Sequence, residues 1–265
     1  MAYSSYYEVI LSIVAYSICS GTLVLLNKMT LYHLPFPSLV TSFQLAVAVC
    51  FIFTAKGMGW LPVDPVKLEF VIPYLYYIIG FALGVYCNMR SLSTSNVETV
   101  IVAKALSPCF VAFLDALFLG REYPSTRSWG AIALIGVGAF GYASHDEKFQ
   151  TQGMSAYFWP LCYLLTISFE MAYGKSLLKS VKMKTQSGPV LYTNLLGITP
   201  MLLFATFGGE FGKFRTKHAE ETLFTGKAIA LLALGSAAGT GIGYSSWWYV
   251  VYKASCLTKE KARDN

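Results

Sequence analysis

Eight long apolar runs dominate this chain, at about 9–29, 36–55, 70–88, 97–119, 128–144, 154–178, 188–208 and 228–252. A bilayer core of roughly 30 Å needs about 20 residues of helix to cross it, and each run is close to that length. The runs are continuous rather than alternating, so they predict helices and not barrel strands. Only 13% of the residues are charged, where a soluble domain carries about a quarter. The expected class is an all-α membrane protein forming one transmembrane domain over residues 1–265, with a polar tail at 253–265.

The polar breaks between runs are short and hold Pro, Gly and charge, as in Arg121-Glu122-Tyr123-Pro124. None is long enough for a soluble domain; the longest lies at about 209–227. The net charge of +6 comes mostly from Lys and Arg flanking the runs, which reads as a topological signal rather than a nucleic-acid surface. With the N-terminus in the cytosol, twelve Lys and Arg fall on the inner side and seven on the outer, favouring that orientation. The six cysteines form no CxxC pair and read as small apolar residues of the spans. The first run lacks a basic leader and is expected to stay as a membrane helix.

The fourth run, within Asn96–Gly120, contains Lys104 about a third of the way in, with Pro108 on the same helical face. A charge at that depth costs several kcal/mol unless it meets a partner or a water-filled cavity. Two readings follow. Lys104 faces a central cavity and meets an anion there, or it pairs with Glu98 or Asp115 or snorkels to an interface.

An internal repeat is visible. Asn27-Lys28 followed by Pro37-x-x-x-Thr41 is echoed by Gly174-Lys175 followed by Pro189-x-x-x-Thr193. Gly80-x-x-x-Gly84 is echoed by Gly235-x-x-x-Gly239. An offset of about 150 residues maps spans 1, 2 and 3 onto spans 6, 7 and 8. A five-span unit reverses orientation when repeated, the inverted symmetry of secondary transporters. The first repeat is expected at about 9–144 and an incomplete second at about 154–252. Partners of spans 4 and 5 do not follow Tyr252, so the end of the chain is expected to lack two helices.

Other motifs carry less. Gly136-Val-Gly-Ala-Phe-Gly141 fits GxGxxG, but inside an apolar span it reads as helix packing, not a dinucleotide fingerprint. His33, His145 and His218 have no metal-ligand spacing, and no catalytic constellation stands out. No enzyme activity, cofactor or metal is expected. Glu170 either pairs with Lys175 or lines a cavity. Span 7 opens Gly188-Pro-Val-Leu-Tyr-Thr-Asn194, a helix N-terminus suited to an anion, with a ring and an amide that can stack on or read a base. An interfacial Tyr and an inter-helix Asn explain the same residues equally well. Tyr244, Ser245 and Ser246 are cavity candidates, and the paired Trp247 and Trp248 an aromatic belt.

These segments resemble the nucleotide-sugar transporters of the drug/metabolite transporter superfamily, nearest the GDP-mannose (GDP-sugar) type. The resemblance rests on LLNK at 25–28, FPSLVTSFQ at 36–44, NVETVIVAKALSP at 96–108, FLGREYPSTRSWGA at 118–131 and GPVLYTNLL at 188–196. It implies ten helices in two inverted five-helix repeats, of which about eight are present. It also implies a Golgi membrane and antiport of a nucleotide sugar against a nucleoside monophosphate by alternating access. The family's Phe-Tyr-Asn-Asn motif reads Leu191-Tyr192-Thr193-Asn194 here, keeping the Tyr and the last Asn. The second motif, Gly-Ala-Leu-Asn-Lys, belongs to a helix beyond this chain.

The expected substrate site is therefore Lys104 on the diphosphate and Tyr192, Thr193 and Asn194 at the base or ribose. Lys28, Asn88, Tyr244 and Ser245 complete the cavity wall. Expected partners are the nucleotide sugar, the nucleoside monophosphate and the lipid bilayer, with a homodimer left open and no nucleic acid. The alternatives are a UDP-sugar or sugar-phosphate carrier of the same superfamily, or a shortened, non-transporting membrane partner.

Overall fold

A computed structural model describes residues 2–118, 125–181, 183, 185, 187–220 and 225–261, and is helical through nearly all of them. In chain order come α1 (Ala2–His33), α2 (Pro37–Gly57), α3 (Leu68–Thr94), α4 (Val97–Phe118) and α5 (Thr126–His145). The short α6 (Glu147–Gln152) and a 3-10 turn, Gly153–Tyr157, lead into α7 (Phe158–Ser180). Then follow α8 (Ser187–Phe207), a surface helix α9 (Glu210–Glu220) and α10 (Gly226–Lys261). Each expected span corresponds to one of the eight long helices among the described residues. Six of these (α1, α2, α3, α4, α8 and α10) are by length and composition able to cross a membrane alone.

Two details differ from the sequence reading. The break at 209–227 contains α9, which starts where Gly209 takes a positive φ of 65° and turns the chain out of α8. The last helix runs past Tyr252 to Lys261, an end in which Lys253, Ala254, Leu257, Lys259, Glu260 and Lys261 are good helix formers.

Packing follows a pattern. α1 lies along α10, α3 along α7 and α2 along α8, while α3 also meets α8 and α2 meets α10. Exchanging α1 with α7, α2 with α8 and α3 with α10 leaves these five pairs unchanged, while the α1–α3 contact has no comparable α7–α10 counterpart among the described residues. That exchange is the mapping of spans 1, 2 and 3 onto 6, 7 and 8. Small residues make the close approaches, as expected where lipid supplies no hydrophobic drive between helices. A Cβ on Gly80 would lie 3.1 Å from Phe169, and one on Gly235 would lie 2.5 Å from the Gln44 amide. The glycines of α5 behave differently. A Cβ on Gly136, Gly138 or Gly141 would meet nothing within 4 Å, so the GxGxxG stretch is not a packing seam among the described residues.

Both ends of the bundle are tied by a carboxylate on a helix N-terminus. At one end Glu210, only 6% exposed, accepts from the Ser38 N–H (3.0 Å), the Leu39 N–H (3.0 Å) and the Ser38 hydroxyl (2.9 Å). This serves the orphan amides of α2, whose Pro37 has none to offer. At the other end Asp64 accepts from the Thr185 N–H (2.9 Å) and hydroxyl (2.8 Å), just before α8. Each carboxylate follows one helix of the α2–α8 pair and serves the start of the other.

Candidate functional site

Pro108 has no N–H, so the carbonyl of Lys104 loses its usual helical partner four residues on. The Ser107 hydroxyl donates to that carbonyl instead, at 2.8 Å. Lys104 thus occupies a turn of α4 whose backbone is repaired by a side chain. Its ammonium donates to the Ser20 hydroxyl of α1 at 2.6 Å. It forms no ion pair with Glu98, and Asp115 lies outside the residues whose side chains are described.

The ammonium opens onto a cavity of about 700 Å³ walled by seven helices: α1, α2, α3, α4, α7, α8 and α10. That volume suits a small organic ligand. Among the described residues lining it, Lys104 is the one cation and Glu170 the one carboxylate. Glu170 accepts from the Tyr77 hydroxyl at 3.1 Å. It makes no ion pair with Lys104. Lys175, its other expected partner, has no described side chain.

Of the expected site residues, Lys104, Asn88, Thr193, Asn194 and Ser245 line this cavity. Asn88 contributes a buried Oδ1 with no hydrogen-bond partner among the described residues. The Asn194 amide donates to the Val190 carbonyl at 2.7 Å, and Ser245 donates to the Gly241 carbonyl at 2.7 Å. Both bonds turn back along their own helices, so these side chains lie against the wall.

Three expected residues sit elsewhere. Tyr192 is 1% exposed and packs among Phe70 and Tyr74. Its hydroxyl accepts from the Lys67 N–H (2.7 Å) and donates to the Pro65 carbonyl (3.2 Å), fixing the α2–α3 loop. Lys28 donates to the carbonyls of Leu92 (2.6 Å) and Ser95 (2.8 Å), closing the C-terminus of α3 where a cation suits the helix dipole. Tyr244 donates to the Ser187 hydroxyl at 3.1 Å, bracing the start of α8. That start was expected to await an external anion. Asp64 and Thr185 already occupy it, and the Gly188 N–H donates to the Thr185 hydroxyl at 3.2 Å.

Sequence reasoning missed a polar stripe on α1. Ser12, Tyr16, Ser20 and Asn27 recur at helical spacing in a mostly apolar span, and all four line the cavity. Gln44 of α2 joins them by donating to Asn27 at 2.9 Å. Periodicity within the run could have found this face.

A cavity between the helices of a multi-pass bundle, mostly apolar but holding one lysine and one glutamate among its described residues, suits a membrane carrier. The chain belongs to the Triose-phosphate Transporter family, whose profile matches residues 8–236. It is similar to GDP-fucose transporter 1 of Arabidopsis thaliana, 31% identical over 236 residues, covering 88% of this chain and 67% of that protein. It is also similar to the GDP-mannose transporters GONST3 and GONST1 of the same plant, at 28% and 25% identity, covering 78% and 91% of this chain. The chain spans 55% of GONST3 and 73% of GONST1. The family and these relatives are transporters, not enzymes.

Proposed function

We propose that this chain carries a GDP-sugar across the Golgi membrane, exchanging it for a nucleoside monophosphate by alternating access. The observation that carries this reading is the Lys104 ammonium. It sits in the helical bundle, held by the Ser20 hydroxyl and facing the cavity, with no carboxylate of the described residues in ion-pair contact. A desolvated cation so placed gains most from a phosphate oxygen, through short charge-assisted hydrogen bonds. The base and ribose then lie among Tyr16, Tyr77, Asn88, Thr193 and Asn194. The relatives named for GDP-sugars extend across most of the chain, which supports a nucleotide-linked substrate.

Alternating access follows from two repeats, about 9–144 and 154–252, rocking on either side of the cavity, with the N-terminus in the cytosol. Opening one face breaks the Glu210 contact with α2; opening the other breaks the Asp64 contact with Thr185. The expected test is exchange in proteoliposomes: Lys104→Ala abolishes GMP-driven uptake of a GDP-sugar, while Lys104→Arg retains part of it. Unchanged uptake in Lys104→Ala removes this lysine from the site.

A second reading has its own support. Phosphoenolpyruvate/phosphate translocator 3 of Oryza sativa subsp. japonica is 34% identical over 121 residues, 46% of this chain. A sugar-phosphate or phosphate carrier would use Lys104 in the same way. Competition by inorganic phosphate but not by GMP identifies that case.

A further inference from the structure

Phosphate binding at Lys104 leaves the second charge in the cavity wall without a task. Glu170 lies in mid-α7. The Ser107 hydroxyl of α4 stands 3.9 Å from the Met171 sulfur, so the turn bearing Lys104 and the turn bearing Glu170 are level. An amine and a carboxyl group thus share one cavity at one depth, outside ion-pair contact. Such a pair is poised to hold different parts of one ligand.

The environment of the carboxylate is specific. Oε1 accepts from the Tyr77 hydroxyl at 3.1 Å. Oε2 has no hydrogen-bond donor among the described residues. The wall beside it is Gly84, where a Cβ would come within 3.3 Å of Oε2. The glycine keeps that oxygen uncovered.

We propose that Glu170 reads the base of the nucleotide and selects guanine. This rests on the nucleotide-carrier reading above. Each carboxylate oxygen has two acceptor sites, so Oε1 can keep Tyr77 and still take a second donor. Two adjacent oxygens match two adjacent N–H donors. Guanine offers that pair on one edge, N1–H and the 2-amino group. Uracil places its N3–H between two carbonyls, which repel a carboxylate. Adenine and cytosine set a ring acceptor beside their amino group. A site whose buried acceptor would be left unpaired rejects these bases strongly.

The test compares GMP, IMP and UMP binding to the purified chain by calorimetry at one pH. IMP keeps N1–H and lacks the 2-amino group. The wild-type protein is expected to bind GMP roughly tenfold or more tighter than IMP, the loss of a hydrogen bond to a charged acceptor. Glu170→Gln is expected to bring GMP and IMP within about twofold of each other, with IMP binding retained as the sign of an intact cavity. Equal affinity of the wild type for GMP and IMP overturns the assignment and leaves the carrier reading standing. It decides the matter even if Glu170→Gln does not fold. A wild-type protein that binds no nucleotide overturns both.

Discussion

Replacing Glu210 with Gln tests how the bundle is held at one end. The carboxylate takes three donors from the start of α2, the N–H groups of Ser38 and Leu39 and the Ser38 hydroxyl, at 3.0, 3.0 and 2.9 Å. Gln keeps one acceptor oxygen but turns an amide donor toward groups that are themselves donors. Losing a good N-terminal cap costs about 1 kcal/mol, and losing a negative charge at a helix N-terminus about 0.3–1 kcal/mol more. A buried N–H left unpaired adds about 1 kcal/mol. The expected sum is about 2–3 kcal/mol. At about 2–4 °C per kcal/mol for a chain of this size, Tm falls by roughly 5–10 °C. Thermal unfolding of the detergent-purified variant against wild type reads this directly. A Tm unchanged to within about a degree refutes the reasoning, because it means α2 does not draw on that carboxylate.

Three further substitutions separate structural from substrate roles. Tyr192→Phe removes the hydroxyl joining α8 to the Lys67 N–H and should cost about 1–2 kcal/mol by thermal unfolding, with GMP affinity unchanged. Lys28→Met removes the donors to Leu92 and Ser95; it should lower Tm while the KM for exchange stays at its wild-type value. In Gly188→Ala the new Cβ meets Asp64 Oδ2 at 2.7 Å and Met183 sulfur at 2.9 Å. Displacing Asp64 from Thr185 should destabilise by about 1–3 kcal/mol in the same unfolding assay.

How far the sequence reaches is visible in these residues. Span positions were legible because apolar length depends on composition alone, and each run corresponds to a long helix. Lys104 was legible for the same reason: a charge inside such a run must face something polar. The rotation of each helix about its axis was not legible from single motifs. Tyr192 and Thr193 are neighbours in the chain, yet Thr193 faces the cavity and Tyr192 faces α3. Long-range caps were equally hidden, since Glu210 and Ser38 are separated by 172 residues and only the folded bundle joins them. Lys28 shows the same limit. Its place at the end of a span hinted at a cavity wall, but the free carbonyls ending α3 claimed it.

Substrate recognition turns on the Lys104 ammonium receiving a phosphate, and binding of GMP to the purified protein tests that without the complications of transport. Titration of wild type and Lys104→Ala at the same pH and salt should show saturable stabilisation by GMP in the first and none in the second. Equal stabilisation of both proteins by GMP would contradict the account.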